Sequence, residues 1–565
     1  MQCFSVDVLV IGGGAAGMMA AYEASKHSVS VALVSKGRLE RSGCTVLAPG
    51  AIAGAGSWRQ PGDSPDIHFR DTVEGGAYLN EQSLVRLLVE HTPALILELE
   101  QIGALWQREA DGETYSLRID GGHSYPRCPF LEDRTGREMM RCLHGVLRKR
   151  HVQVWEDIMI TRLLLADDRI AGAVGYDLAH GSMVLLRAKS VILACGGAGV
   201  VYQNTSNPTD VTGDGFALAL AAGAALMDME FVQFYPLGFL FPDSLRGALA
   251  GLLYYVHLRN KNGERFMLRY DPERAELSTR DRVARAICNE VREGRGGPRG
   301  GVYIDMTHHE PGYIARMQPS LTESYQKQGL DPEKDWLEVA PSCHFFMGGV
   351  KVDRNWASTV NGLFIAGETG AGVQGANRLS QNALSELLVS GHFAGLAAAQ
   401  SASGNEQAAF DPAVVQQEES MVARLLARRE GVAPGVLRQR LRTLMWEHAG
   451  VYRNEHGLLQ AQEEIAGLRM QLEQQCLVQK DPAWNSELRE ALENYFLVDT
   501  AACIVKSALL RKESRGAHFR EDYPQTDQKN WLQHVILQKK GDSLTAGFAP
   551  VDLCEIKPEG ACELA

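Results

Sequence analysis

Glu368 and Arg378 stand in one glycine-rich stretch, GLFIAGETGAGVQGANRLSQNALSELLVSG at 362–391, which places an acid, a lone cation and a helix start in close succession. This combination suits flavin chemistry beside an anionic substrate. Residues 363–366 read as a short buried strand, and the glycines at 367, 370, 372 and 375 allow tight backbone approach. Asn382, Ala383 and Leu384 open an apolar helix, whose first N–H groups favour negative charge. A reduced flavin carries such charge around N1 and the C2 carbonyl, so a helix aimed there stabilises it. Arg378, just before the helix, is placed to grip an anionic substrate.

The elements that must hold this corner are legible elsewhere in the chain. Residues 6–11 form a buried-strand run that leads into Gly12-Gly13-Gly14-Ala15-Ala16-Gly17 and a helix over 18–25. This is a GxGxxG turn between strand and helix, where glycines permit close approach to a pyrophosphate. A second strand over 29–34 ends at Ser35 and Lys36. The usual acidic ribose ligand is absent there, so Ser35 is expected to bond the ribose through its hydroxyl. Residues 190–195 form another buried strand running into Gly196, and 361–368 form a third. A nucleotide domain interrupted by other material is typical of FAD folds rather than of a contiguous NAD domain.

Composition narrows the classes of function. A chain of 565 residues with 45% hydrophobic content supports two to four well-buried domains. The net charge of −12 argues against nucleic acid as a partner. Eleven scattered cysteines suggest a reducing compartment, and Cys554 and Cys562 are too few for an iron–sulfur or zinc set, so no metal site is expected. The chain opens on a strand rather than a signal peptide, and no apolar run approaches the ~18 residues of a membrane span. The expected location is cytoplasmic, with any attachment to the cytoplasmic side of the inner membrane made through partner subunits.

At this point the chain resembles the flavoprotein subunits of succinate dehydrogenase and fumarate reductase, a family that includes L-aspartate oxidase. The likeness is carried in order by DTVEGGAYLNEQSLVRLLVE at 71–90, GGHS at 121–124, DRTGREMM at 133–140, TGDGFALALAAGA at 212–224 and MEFVQFYPLG at 229–238. It continues through NGERFM at 262–267, TRDRVARAI at 279–287, CHFFMGGVKVD at 343–353, LMWEHAGVYRNEHGLLQA at 444–461 and RKESRGAHFREDYPQTDQKNWLQH at 511–534. The resemblance implies an α/β fold in which a discontinuous Rossmann-like FAD-binding domain, 1–230 and 351–405, carries an inserted α+β capping domain at 231–350. A helical domain of three-helix type at 410–510 and a small C-terminal domain or tail at 511–565 follow. An iron–sulfur partner subunit is implied as the electron carrier.

The resemblance also assigns roles. Interconverting an alkane and an activated alkene needs hydride exchange at flavin N5 and a proton carrier on the adjacent carbon. Arg280 matches the family's proton-transferring arginine, although a guanidinium, with a pKa above ~12, needs local geometry and a relay for that task. Arg378 and His344 match the carboxylate-binding pair, with Pro341-Ser342-Cys343 before the histidine and Met347-Gly348-Gly349 after the strand. His123 could pack under the cap or approach the active site. The expected FAD contacts are Gly12, Gly14, Ala15, Ala16, Gly17, Ser35, Lys36, Ser42, Cys44, Thr45, Gly50, Ala194, Gly196, Asp214, Glu368, Asn382, Ala383 and Leu384.

Two departures from the family pattern matter. The dicarboxylate enzymes read Gln-Phe-His-Pro-Thr-Gly where this chain has Gln233-Phe234-Tyr235-Pro236-Leu237-Gly238. The Thr-Glu and Arg-Gly-Glu-Gly-Gly expected near 245–256, which in the family supply a threonine that binds the second carboxylate and a glutamate that relays protons, are replaced by LRGALAGLLYYV, with Arg246-Gly247 as a displaced remnant at most. Desolvating a second carboxylate against leucines costs several kcal/mol, so a substrate with one carboxylate and a less polar far end is expected. The flavin-attaching histidine is replaced within Arg41-Ser42-Gly43-Cys44-Thr45. Noncovalent FAD is expected, with a cysteinyl link at Cys44 as the alternative.

Three functional readings follow. The first is a flavoprotein of the succinate dehydrogenase/fumarate reductase type, one subunit of a complex, which acts on a small carboxylate with Arg280, His344, Arg378 and Tyr235 at the reaction. The second is a soluble oxidase akin to L-aspartate oxidase. The third is an FAD electron-transfer module without substrate turnover of its own.

Overall fold

The computed structural model describes residues 1–56, 61–250, 253, 256–541 and 543–559. Its main sheet is built on strands that are apolar on both faces, the pattern of parallel strands covered by helices on each side. Val8, Leu9 and Val10 of Gln2–Ile11 are fully buried, and this strand lies between Val31–Val34 and Ser182–Leu193. Gln153–Trp155 extends the sheet beyond Val31–Val34. On the other side Leu363–Ile365 pairs in parallel with Val191, Ile192 and Leu193. Ile158–Ala166 and Arg169–Asp177 add an antiparallel wing to the first half of Ser182–Leu193. Distant segments thus share one sheet, and their carboxyl ends converge.

Helices Ala15–Ala24 and Asn382–Ser403 clamp the two ends of the chain's nucleotide fold together. A Cβ on Gly391 would lie 2.8 Å from the Ala16 carbonyl oxygen, and one on Gly395 would lie 2.4 Å from that of Ala20. Only glycine permits this approach. The contact fixes the start of the second helix beside the glycine turn that starts the first.

Between these segments the chain makes a second, antiparallel sheet in the order Val232–Phe239, Leu337–Phe346, Val302–Asp305, His257–Arg259. Leu237, Phe239, Ile304 and Val339 form its core with Val283 and Ile287 of helix Arg280–Arg292. That helix carries Arg280 at its first position, with Thr279 at the cap.

The helical part contains four helices, Pro412–Ala427, Pro434–Ala449, Glu455–Leu472 and Ser486–Leu510, rather than the expected three. Pro at N1 starts the first two, and Asn454 and Asn485 accept the Gly457 and Leu488 N–H groups, each at 2.9 Å, to cap the last two. The additional helix docks on the main sheet's wing, where Arg162 pairs with Glu418 at 2.7 Å. No described helix is long and apolar enough to cross a membrane. Cys554 is exposed, and Cys562 lies outside the described residues.

The final hairpin, Gln533–Lys540 and Ser543–Pro550, completes a sheet with Leu226–Met227 and Gly349–Val350, the points where the chain enters and leaves the cap. A buried charge cluster locks this junction. His534 lies 2.5 Å from Asp228 and 2.8 Å from Glu81, while Arg511 reaches Asp228 at 3.3 Å. Burial opposes the charge on His534, yet Asp228 and Glu81 raise its imidazolium to about 9. Burial alone would raise the Asp228 carboxyl, but His534 and Arg511 hold it below the usual range.

Because the folded pKa of His534 lies above its unfolded value, its stabilisation is complete below pH ~6.5 and is lost as pH rises through about 9. Thermal melts from pH 6 to 10 should show a fall in stability that His534→Gln removes. The variant should be less stable than the wild type at pH 6 by up to about 3 kcal/mol.

Candidate active site

A cavity of about 1290 Å³ opens at the carboxyl ends of the parallel strands and is lined by both the main sheet's loops and the cap. The glycine turn at its floor divides into two kinds of position. A Cβ on Gly12, whose φ is +124°, would lie 2.1 Å from the Ala194 carbonyl oxygen, and one on Gly17 would lie 2.0 Å from that of Gly12. Those glycines serve the protein's own packing. A Cβ on Gly14 would meet only Thr45 Oγ1, at 3.7 Å, and one on Gly196 would meet nothing within 4 Å. Room beside bare backbone N–H groups is what a pyrophosphate needs. The residues present therefore fit FAD, which supplies the hydride donor and acceptor when bound.

Most of the expected cofactor residues reach this cavity. Gly12, Gly14, Ala16, Ser35, Ser42, Cys44, Thr45, Gly50, Ala194, Gly196, Glu368, Ala383 and Leu384 line it. Ala15 donates its N–H to Thr45 Oγ1 at 3.4 Å, and the Ser42 hydroxyl donates to the Arg38 carbonyl at 2.7 Å. Gly17 stands behind the turn as a packing residue. Burial and the nearby Glu368 and Asp210 push the Cys44 thiol well above its ordinary range, so it is not a ready thiolate. Burial likewise raises the Glu368 carboxyl to about 7, although it accepts the Phe346 N–H at 2.9 Å.

Three of the expected contacts, Lys36, Asp214 and Asn382, also take side-chain partners within the protein. Lys36 lines the cavity, but its ammonium pairs with Asp214 at 2.8 Å and Glu493 at 2.9 Å and donates to Thr212 at 2.7 Å. It ties the nucleotide fold to the helical part, because a buried ammonium requires carboxylate partners. Asp214 is its counter-ion. The Asn382 side chain turns away from the cavity, donating to Thr72 Oγ1 at 3.0 Å and meeting His68 Nε2 at 2.9 Å. Gln381, just before the helix, has a φ of +65°.

Arg280, Tyr235, His344 and Arg378 converge on the same cavity. Arg378 is 5% exposed; its Nη2 donates to Gln233 Oε1 at 2.9 Å, its plane lies 4.7 Å from the Phe345 ring centre, and its buried Nε has no hydrogen-bond partner among the described residues. Burial and the charge of Arg280 lower this guanidinium to about 9. An anion beside it would answer both the missing partner and the crowded positive charge. His344 is held well below its usual range by burial, Arg378 and Arg280, so it is neutral at pH 7. Its Nδ1 lies 2.9 Å from Ser206 Oγ.

Arg280 donates from Nη2 to Ser380 Oγ at 2.8 Å, and its guanidinium lies 5.1 Å from the centre of the Tyr235 ring. Tyr235 in turn lies 5.8 Å from the His344 ring. The phenol thus acts as a buried platform under two of the site's donors. Asp281 pairs with Arg285 at 2.9 Å, not with Arg280.

The described part of the 248–253 wall is apolar, while Arg316 and Gln318 line the cavity from another part of the cap. Ala248, Leu249 and Leu253 line the cavity, while positions 251, 252, 254 and 255 lie outside the described residues. Arg246 is not among the residues that line the cavity: it reaches Asp243 at 2.9 Å on the surface, and Gly247 packs against the Thr205 carbonyl. His123 lies one layer behind the site, with Nε2 2.6 Å from the Ser380 carbonyl. Burial lowers its imidazole to about 4.

Sequence reasoning did not single out Gln233, Ser206, Ser380 or Asp120. Gln233 braces Arg378 from both ends, since its Nε2 also donates to the Arg378 carbonyl at 3.1 Å. Asp120 lines the cavity, and its partner Gln381 holds the Ala51 N–H at 2.7 Å on the opposite end of its amide. The quoted motifs stop one residue short of Asp120 and include Gln233 only as a neighbour of Tyr235; contacts across the fold give both their significance.

The two kinds of glycine predict different losses. Gly14→Ala should leave the melting temperature of the FAD-free protein within about 2 °C of wild type while weakening FAD binding roughly 10-fold or more, as read by titration of flavin fluorescence. Gly12→Ala should destabilise the FAD-free protein itself. Equal melting losses in the two variants would contradict this division.

Comparison with known proteins agrees with this geometry. Residues 7–384 match the family model described as FAD binding domain, and 438–561 match that described as fumarate reductase flavoprotein C-term. The chain is 40% identical to a fumarate reductase (CoM/CoB) subunit of Methanothermobacter marburgensis, covering 95% of this chain and 98% of the relative. It is 34% identical to the fumarate reductase flavoprotein subunit of Escherichia coli K12, covering 96% and 93%. A solved structure of an Escherichia coli quinol fumarate reductase FrdA variant superimposes with a TM-score of 0.92 over 99% of this chain and 98% of that one, at 33% identity. With a family model over two thirds of its length and relatives of 34–40% identity along nearly all of it, the chain belongs to the succinate dehydrogenase/fumarate reductase flavoprotein family of FAD-dependent oxidoreductases.

Proposed function

We propose that this flavoprotein reduces the double bond of an α,β-unsaturated carboxylate, or runs the reverse oxidation, and exchanges electrons with an iron–sulfur partner subunit. The observation that carries this reading is the convergence of Arg280, His344 and Arg378 on the cavity that also holds the glycine turn. Arg378 offers its unpartnered Nε to a carboxylate. His344, whose Nδ1 is held 2.9 Å from Ser206 Oγ, adds a second polar group at the same cavity. These two residues draw electron density toward the carboxylate and make the β-carbon a hydride acceptor. Arg280, steadied by Ser380 and Tyr235, gives its proton to the α-carbon.

The rest of the substrate lies against Tyr235, Leu249 and Leu253. An unpaired carboxylate against those leucines would cost several kcal/mol, which favours a substrate with one carboxylate and a less polar far end. A second reading, fumarate itself, is favoured by the printed names of the relatives. The relative named as one subunit of a reductase supports a partner protein as electron carrier, and membrane attachment, if present, is made through such partners on the cytoplasmic side. FAD is held noncovalently in this reading, with the high thiol pKa of Cys44 in its support.

Anaerobic reoxidation of the reduced flavin tests both readings. Crotonate-like monocarboxylates should exceed fumarate in kcat/KM, and the opposite order would make fumarate the substrate. Arg280→Gln should lower kcat by roughly 100-fold or more with KM little changed, whereas Arg378→Gln should raise KM by roughly 10-fold or more. Acid precipitation should release the flavin into the supernatant; flavin fluorescence in the pellet would place a covalent link at Cys44.

A further inference from the structure

An arginine that gives up its proton once per turnover must regain it, and the family's relay glutamate is missing from this chain's 245–256 segment. The structure offers another carboxylate in the same cavity. Asp120 lines that cavity with Arg280 and Ser380, close enough that both hold its carboxyl down. Ser380 Oγ accepts the Arg280 Nη2–H at 2.8 Å. The serine hydroxyl is thus bonded to the guanidinium in the cavity that the carboxylate also lines. Both ends are fixed: Gly121 N–H donates to Asp120 Oδ1 at 2.9 Å, Gln381 holds the other oxygen, and His123 lies 2.6 Å from the Ser380 carbonyl.

We propose that Asp120 recharges Arg280 through the Ser380 hydroxyl, taking the place of the family's relay glutamate. The proposal rests on the reading of Arg280 as proton donor. Once Arg280 has passed a proton to the α-carbon and a hydride from the reduced flavin has reached the β-carbon, the guanidine is neutral. The chain then runs in one direction: Ser380 gives its hydroxyl proton to the guanidine as it receives one from the Asp120 carboxyl, and Asp120 takes its own from water. No electrons move in this step, and the net change is one proton from water to Arg280. Electrostatics favours the order. Burial alone would raise the Asp120 carboxyl, but Arg280 and the Gln381 bond hold it below the usual range. Loss of the Arg280 charge removes that hold and makes Asp120 a better proton acceptor at the moment one is needed.

Asp120 could instead act only as an anchor for Arg280, and the two roles separate in a first turnover. In enzyme whose flavin is reduced beforehand, Arg280 already carries its proton. With the holoenzyme and the best unsaturated carboxylate found above, Asp120→Asn should leave the first flavin reoxidation within about 3-fold of wild type. Steady-state turnover driven by reduced methyl viologen should fall roughly 10- to 100-fold, increasingly so at higher pH, with an enlarged solvent deuterium effect. Asp120→Glu should restore most of the loss, and Asp120→Ala should repeat the Asn result if Asn disturbs packing. Equal losses in first and later turnovers would make Asp120 an anchor, and undiminished turnover would exclude it as the relay. If the wild type reduces no unsaturated carboxylate, the functional reading itself fails, and the relay fails with it.

Discussion

The structure depends on how closely helix Asn382–Ser403 can approach helix Ala15–Ala24. Gly391 and Gly395 give the second helix a face without side chains, and it settles on the Ala16 and Ala20 backbone of the first. Any Cβ there would push the helices apart. That separation would move Arg378 and the helix start away from the glycine turn, although they lie hundreds of residues apart in the chain. A packing requirement remote from the chemistry therefore sets the distance between the cofactor cradle and the substrate grip.

Inside that frame the site concentrates positive charge that the protein only partly neutralises. Arg280 and Arg378 share one cavity with the neutral His344, and burial together with mutual repulsion lowers the Arg378 guanidinium to about 9. Gln233 holds Arg378, and Ser380 and Tyr235 hold Arg280, by hydrogen bonds and a ring face. Lys36, by contrast, is paired with two carboxylates, Asp214 and Glu493. It ties the nucleotide fold to the helical part, whereas Arg378 keeps a buried Nε without a partner among the described residues.

The cap and the tail are coupled through the points where the chain crosses between domains. Leu226–Met227 and Gly349–Val350 flank the cap, and the final hairpin completes their sheet. Asp228, His534 and Arg511 then fasten the tail to that crossing from within. Cap position, and with it the placement of Arg280 and His344, is thus supported from the far end of the chain. This gives the C-terminal segment a mechanical role that its sequence does not announce.

Local pattern was enough to read the glycine turn, the apolar parallel strands and the helix start at 382–384, because each rests on backbone geometry written in a few adjacent residues. Family motifs marked Arg280, His344 and Arg378, which line one cavity in the fold. What adjacency could not reveal was the partner each polar side chain takes. The side chains of Lys36 and Asn382 take Glu493 and His68, from distant helices, as partners. Four helices stand where three were expected, since docking on the main sheet's wing, not a stronger local signal, distinguishes Pro412–Ala427. Asp120 shares a cavity with Arg280 and Ser380 only because the fold brings these distant positions together. The sequence by itself determined which backbones could form and which chemistry they could serve; only the tertiary structure decided which charges are neutralised, because pairing depends on distances through space that chain order does not encode.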